Sequence, residues 1–335
     1  MKKSVIKFNK QVEFFKFLKN YIPKKGSALV HVISDILEIS EDSVYRRMSG
    51  KSPLEFGEAA TLCEKFNVSF DLNSEASNNQ IKGLYTPLDV KNDQSLMTYT
   101  NSLVSSLGKI RKNQKNEILL SASCIPIFCL GNFEDLILFN FFSWNKNVYG
   151  ASGGYAEFLK TTDTKKILKA YHNISDLYLQ TSSTEIWSSN TVDSFLNLLH
   201  FHYKTGAFKD NLFPMHLCQQ LLCLLEQIRL WTEKGEKNPK DTTFKLFIRE
   251  AGIENTFALF KGVDETICIV KLFSVNNITI YDHQFCSEME SWLRNLMQQA
   301  TLISEGSAVE KYKFFLNQTK KITDYMIATF NNHQV

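Results

Sequence analysis

Side chains that could read a nucleic acid are concentrated in one short stretch of this sequence, between positions 40 and 51. Arg46 and Arg47 could pair bidentately with guanine or hold phosphate, and Lys51 is better suited to phosphate. Glu41 or Asp42 could accept from a cytosine amino group or could serve only the helix terminus. Tyr45 could lie against a sugar or fill space beside a neighbouring helix. The candidate contact residues are Ser40, Glu41, Asp42, Ser43, Tyr45, Arg46, Arg47 and Lys51.

Two short helices would position these side chains. Ile33 and Leu37 lie four residues apart, as do Val44 and Met48, so each pair shares one face of a helix. Ser40 is a favourable N-cap for the second helix, and the two acidic residues after it suit the positive end of the helix dipole. The pattern predicts two helices that pack through these apolar pairs and leave the polar side of the second helix in solvent.

The segment 30–71 resembles the Cro/cI-type (XRE-like) helix-turn-helix family of bacterial regulators. The resemblance runs through a scaffold helix at 31–37, a recognition helix at 41–49 and a glycine-lysine corner at 50–51. It continues through a further helix at 54–66 and a tail at 67–71. The corner glycine is also a typical helix terminator.

The resemblance departs from the family pattern at two positions. Glu38 stands in the turn where the family often has glycine, and Arg47 stands where an apolar residue is common. The family implies an all-α, lambda-repressor-like domain that binds double-stranded DNA. One such module buries too little surface for tight operator binding, so a homodimer on two half-sites is expected.

The first 25 residues are strongly basic. They contain eight lysines and one acidic residue, Glu13, which gives a net charge of +7 in a chain whose total is +3. Such a segment attracts a polyanion, although it could equally be the solvated face of an amphipathic helix. Apolar residues recur at helical spacing over 11–21, which predicts a helix beneath the helix-turn-helix segment. The lysines are Lys2, Lys3, Lys7, Lys10, Lys16, Lys19, Lys24 and Lys25.

The chain is predicted to be mainly helical α+β, with three parts: a DNA-binding domain at 1–71, a linker at 72–94 and a sensory or dimerisation domain at 95–335. The larger domain should be helix-rich with a small antiparallel sheet. Helices are predicted at 95–112, 133–144, 165–179, 191–205, 214–234, 285–304 and 308–330. A buried strand is predicted at 117–123, and an antiparallel meander at 244–250, 255–262, 266–273 and 277–282.

Catalytic and metal-binding signatures do not stand out in the larger domain. His200 and His202 are two residues apart in a helical pattern, so they should face different sides and not share a metal ion. The glycine-rich stretch at 149–155 lacks the spacing and lysine of a phosphate-binding loop. We therefore expect no enzyme activity, no metal and no cofactor. The dense aromatic residues should form a core, although they could also line an effector pocket or a dimer face.

Composition is typical of a globular protein, with 44% hydrophobic and 22% charged residues. An uninterrupted apolar run long enough to span a membrane is not apparent, and lysines interrupt the N-terminal segment where a signal peptide would need an apolar core. Seven cysteines, an odd number, argue for reduced thiols and not for a disulfide framework. We expect a cytoplasmic protein without membrane association.

The sequence favours a transcriptional regulator. Its N-terminal domain would read an operator, and its C-terminal domain would dimerise or sense a small-molecule or peptide effector. Two alternatives remain. One is an enzyme with an appended helix-turn-helix, although the sequence supplies no cluster of catalytic residues for it. The other is a protein-interaction module that uses the helix-turn-helix fold without contacting DNA.

Overall fold

A computed structural model of the chain describes residues 9–21, 26–66, 116–237, 242–262, 265–272 and 275–330, with positions 68, 81, 83–85, 88 and 104. The chain forms two compact units. The smaller unit comprises residues 1–82 with 281–285, and the larger unit comprises 83–280 with 286–335. Helices and strands are both present and helix predominates, as the sequence predicted.

The described helices of the smaller unit are α1 (Asn9–Tyr21), α2 (Ser27–Leu37), α3 (Glu41–Met48) and α4 (Phe56–Phe66). Each lies where the apolar spacing predicts a helix, and α2 begins four residues earlier than expected. Their apolar faces meet in one core, because residues three or four apart lie on the same side of a helix. The buried core residues are Phe14, Phe15, Leu18, Leu29, Val30, Ile33, Val44, Met48, Leu62 and Val68.

The turn between α2 and α3 depends on an unusual backbone conformation. Glu38 ends α2 with a φ of 54°, and it is the only non-glycine residue with a positive φ in the described part of the chain. The Ile39 N–H donates to the Ser34 carbonyl at 3.2 Å, which closes the turn. Glycine adopts this left-handed conformation most easily, so the turn holds Glu38 in a strained backbone conformation.

The larger unit is built on one mixed sheet of eight strands, in the order β1-β7-β6-β5-β2-β3-β4-β8. Strands β2, β3 and β4 are parallel, and the remaining pairs are antiparallel. The strands are β1 (Gly83–Tyr85), β2 (Glu117–Ala122), β3 (Ser182–Ser188), β4 (Phe244–Arg249), β5 (Phe257–Lys261), β6 (Thr266–Lys271), β7 (Asn277–Ile280) and β8 (Thr301–Leu302).

The prediction of a small antiparallel sheet is therefore wrong. The expected meander exists only as β5-β6-β7. Strand β4 is separated from β5 by β2 and β3, and it lies parallel to β3. Parallel neighbours require long crossover connections, and the helices between β2, β3 and β4 supply them. The predicted helix 285–304 is also too long, because it ends at Gln298 and residues 301–302 pair with β4.

Seven further helices are described along the chain after β2. They are α5 (Glu134–Tyr149), α6 (Tyr155–Thr161), α7 (Thr164–Leu179), α8 (Asp193–Lys204), α9 (Leu212–Lys234), α10 (His283–Gln298) and α11 (Ala308–Phe330), with a 3-10 turn at Ile127–Leu130. The predicted helix at 95–112 lies outside the described residues except for Val104, as does most of the predicted linker. Strand β1 falls within that linker segment.

Aromatic residues fill much of the core of the larger unit. Phe139, Phe141, Phe142 and Trp144 of α5 are all buried, as predicted for the dense aromatic residues. Phe201 of α8 was expected to pack in the same way, but it is 56% exposed. The ring of Phe142 meets the ring of Tyr155 edge-on, with centroids 5.4 Å apart. Burial of such rings is a large source of folding free energy.

Candidate nucleic-acid interface

Helix α3 has one buried and one exposed face. Val44 and Met48 pack into the core of the smaller unit, and Tyr45 on the other side exposes 51% of its surface. The exposed side is mostly polar. Of the predicted contact residues, Ser40, Glu41, Asp42, Tyr45, Arg46 and Lys51 are exposed and Ser43 is half-buried.

Both ends of α3 are fixed by local hydrogen bonds. The Ser40 hydroxyl accepts from the Ser43 N–H at 3.3 Å, which confirms the predicted N-cap. At the other end Gly50 has a φ of 70°, and its N–H donates to the Arg47 carbonyl at 3.0 Å. The Lys51 N–H donates to the Arg46 carbonyl at 2.9 Å, so the corner that carries Lys51 is tied to the helix end.

Arg46 is exposed and already paired with an acid. Its Nε lies 3.0 Å from an oxygen of Asp42, one helical turn earlier, and the two side chains are 62% and 73% exposed. A solvent-exposed pair of this kind contributes only about 0–1 kcal/mol. Arg46 can therefore exchange Asp42 for a base edge or a phosphate at little cost.

Arg47 does not belong to the exposed face, and the prediction that it faces solvent is wrong. Its Nε and Nη2 donate to the two carboxylate oxygens of Glu58 in α4, at 2.8 and 2.7 Å. Both side chains are only 19% exposed. These hydrogen bonds raise the pKa of Arg47 and lower the pKa of Glu58, and partial burial opposes both shifts. Arg47 thus links α3 to α4 through an ionic contact.

A buried glutamine holds the corner after α3, and sequence reasoning missed it. Gln11 of α1 donates from its Nε2 to the carbonyls of Arg47 at 2.6 Å and Ser52 at 2.7 Å. Its Oε1 accepts from the Leu54 N–H at 2.7 Å. One side chain therefore satisfies three backbone groups of the segment that carries Lys51. A polar residue within the apolar pattern of α1 was the available signal.

The N-terminal end of α3 is acidic. His31 of α2 lies between two carboxylates, with Nε2 3.6 Å from Asp35 and Nδ1 3.2 Å from Glu41. Asp42 adds a third carboxylate on the next residue of α3. A phosphate placed at this end of α3 would be repelled by these carboxylates.

Helix α1 supplies three exposed lysines, Lys10, Lys16 and Lys19. Lys10 lies 3.6 Å from Glu13, and both are at least a third exposed. This charge is available for long-range attraction to a polyanion, weakened by salt. The other five lysines of the basic segment lie outside the described residues.

The histidines considered as metal ligands in the sequence are separated in the structure. His200 is exposed, whereas His202 is fully buried with Nε2 2.9 Å from the Ser143 hydroxyl. Burial lowers the pKa of His202 to about 4. The prediction that the two face different sides of a helix is confirmed. Among the residues that the structure describes, His, Cys, Asp and Glu side chains form no group that could hold a metal ion.

A buried polar cluster in the larger unit was not found from the sequence. Glu185 of β3 is fully buried, and its carboxylate accepts from Tyr178 at 2.6 Å, Ser183 at 2.7 Å and Trp187 at 2.9 Å. The Lys237 Nζ donates to the Ser183 hydroxyl at 3.0 Å and lies 3.4 Å from the centroid of the Tyr178 ring. The hydroxyl thus links a buried ammonium to a buried carboxylate.

The thiol in this cluster is not activated as a nucleophile. Burial lowers the pKa of Lys237 to about 8, and the nearby Glu185 charge opposes that shift. Burial raises the pKa of the Cys129 thiol, and Glu185 adds to the rise. A thiol held in its protonated form reacts slowly, because the thiolate is the nucleophile. The cluster links β3 to the segment that carries Lys237 through the Ser183 hydroxyl.

The chain matches no protein-family model, no curated protein and no solved structure. The described helices include none that combines the length and apolar character needed to cross a membrane.

Proposed function

We propose that the chain is a DNA-binding transcriptional regulator that places α3 in the major groove. The observation that carries the proposal is the position of Arg46 and Tyr45 on an exposed helix face whose opposite side is anchored by Val44 and Met48. Helix α3 follows the scaffold helix α2 after a three-residue turn, which is the arrangement of helix-turn-helix domains.

Arg46 is the residue proposed to read a base. It can form two parallel hydrogen bonds with guanine once it leaves Asp42, and such a contact discriminates by about 1–3 kcal/mol. Tyr45 would lie against the sugar-phosphate backbone, and Lys51 would hold a phosphate from the corner that Gln11 fixes. Arg47 is assigned a positioning role, since its guanidinium is already occupied by Glu58.

A dimer is part of the proposal. An eight-residue helix is about 12 Å long, so α3 alone spans only a few base pairs. Two copies on half-sites one helical turn apart would double the contact area and supply the affinity that one module lacks. The larger unit is proposed to bring the copies together or to sense an effector that changes their spacing.

A second candidate is a protein-interaction module, and the acidic end of α3 favours it. Asp35 and Glu41 both lie within 3.6 Å of His31, and Asp42 follows Glu41 in α3. These carboxylates would suit a basic protein surface better than phosphate.

The deciding experiment recovers genomic DNA fragments retained by the full-length protein at physiological salt and sequences them. Arg46→Ala should lose a shared palindromic motif, because the base contact is removed. Lys65→Ala serves as the matched control, since Lys65 is an exposed basic residue on α4, outside the predicted contact set. Arg47 variants are unsuitable here because they disturb the contact between α3 and α4.

A motif retained equally by Arg46→Ala and the parent would refute α3 as the reading helix. Retention of DNA without any motif would reduce the interaction to non-specific attraction by the lysines. No retention would favour the protein-interaction module.

A further inference from the structure

The larger unit contains a cavity of about 290 Å³ between the 3-10 turn, α7 and α9. Phe128, Trp231 and Leu179 form its apolar walls. The ring of Phe128 stacks on the ring of Tyr178 with centroids 5.8 Å apart, and Trp231 lies 6.4 Å from the same ring. The walls are therefore part of a rigid aromatic cluster and not loose surface side chains.

The polar groups of the cavity carry a negative charge. Among the described residues that line it, Asp176 is the only carboxylate, and neither lysine nor arginine is present. His172 also lines the cavity, with its Nε2 3.5 Å from a carboxylate oxygen of Glu134. Asn132 donates to Gln227 at 3.4 Å, which leaves further amide donor and acceptor capacity at the mouth. An anionic ligand would meet the Asp176 carboxylate with neither lysine nor arginine in the lining to compensate its charge.

The same aromatic cluster already accommodates one ammonium group. Lys237 Nζ lies 3.4 Å from the centroid of the Tyr178 ring, and Tyr178 contacts both aromatic walls of the cavity. Aromatic faces attract cations through their quadrupole. A carboxylate beside aromatic walls is a common way to bind an organic ammonium ion, because it combines cation–π attraction with an ion pair.

We propose that this cavity binds a small organic amine, with its apolar body between Phe128 and Trp231 and its ammonium group at Asp176. The volume is at the lower end of the roughly 300–1,000 Å³ typical of small-molecule sites, so the ligand is the size of a metabolite and not of a peptide. The proposal concerns the larger unit alone and does not depend on DNA binding.

The test is calorimetric titration of the full-length protein with 2-phenylethylamine, 3-phenylpropylamine and cyclohexylmethylamine. The size-matched 3-phenylpropionate and 2-phenylethanol replace the ammonium with a carboxylate or a hydroxyl. We expect at least one amine to bind about tenfold or more tightly than both matched compounds, since they lack the ion pair.

Asp176 is exposed, so Asp176→Asn should weaken amine binding by about threefold to fivefold while leaving the size of the cavity unchanged. Asp324→Asn is the control, because Asp324 is an exposed acid on α11 outside the cavity. Equal amine affinity in Asp176→Asn and the parent would overturn the proposal, and so would binding of the carboxylate as tightly as the amine. Absence of binding by all three amines at about 10 mM, where a 1 mM Kd gives high occupancy, would also overturn it.

Discussion

Removal of the Arg47–Glu58 ion pair should loosen the packing of α3 on α4. The pair makes two charge-assisted hydrogen bonds at 2.8 and 2.7 Å, and each side chain is 19% exposed. That exposure places the pair between surface pairs, worth about 0–1 kcal/mol, and buried pairs, whose disruption costs about 3–5 kcal/mol. We expect Arg47→Met and Glu58→Gln each to destabilise the smaller unit by about 2 kcal/mol.

Amide hydrogen exchange of the full-length protein, followed by mass spectrometry, measures this effect locally. A loss of about 2 kcal/mol corresponds to a roughly thirtyfold increase in the exchange rate of α3 and α4 amides. The loss of stability in the double variant should be much smaller than the sum of the losses in the two single variants. Each single variant already removes the same ion pair that the double variant removes. Glu58→Gln retains an oxygen that can accept from the Glu55 N–H, so the start of α4 is preserved.

The effect should also depend on pH with a definite sign. The pKa of Glu58 is lowered in the folded protein, so its contribution is complete above the ordinary carboxyl pKa and is lost as pH falls through the folded value. The difference in stability between the parent and Glu58→Gln should therefore become smaller as the pH falls. Unchanged exchange in both single variants, or additive effects in the double variant, would refute the assigned coupling.

Two other positions give sharp predictions. Glu38→Gly should stabilise the smaller unit by about 0.5–1 kcal/mol, because it relieves a φ of 54°, whereas Glu38→Ala should not; exchange of α2 and α3 amides checks both. His202 has a pKa of about 4 against an ordinary value of 6.5, so stability should fall by about 2–3 kcal/mol as pH drops from 7 to 4.5, since the unfolded chain takes up a proton that the buried ring does not. In denaturant unfolding, His202→Gln should not show this fall in stability, whereas the control His200→Gln, at an exposed position, should retain it. Equal pH dependence in His202→Gln and the parent would contradict the burial argument.

Local spacing was sufficient to predict the helices that position α3. Residues four apart, such as Val44 and Met48, determine which side of a helix is buried, and this information lies within one or two turns of the chain. The same holds for the N-cap Ser40 and the terminating Gly50. The predicted contact set other than Arg47 therefore lies on or beside the exposed side of α3.

Contacts between distant residues could not be read in the same way. From the sequence alone, Arg47 looks like a solvent-facing residue, because its partner Glu58 lies eleven residues away on another helix. Gln11 finds its partners about forty residues later. Strand β3 was missed because its polar residues suggest exposure, although Ser183 and Glu185 are buried with partners from other elements.

The burial of Glu185 restricts the register in which β3 can pair with its neighbouring strands. Ser183, Glu185 and Trp187 alternate along β3, so they lie on one face of the sheet and meet the same buried cluster. A slip of β3 by one residue would turn all three to the other face and leave the ammonium of Lys237 without its hydroxyl partner. A purely aliphatic strand would tolerate that slip far better. The buried carboxylate therefore fixes the register in which β3 pairs with β2 and β4, and it disfavours registers that are shifted by one residue.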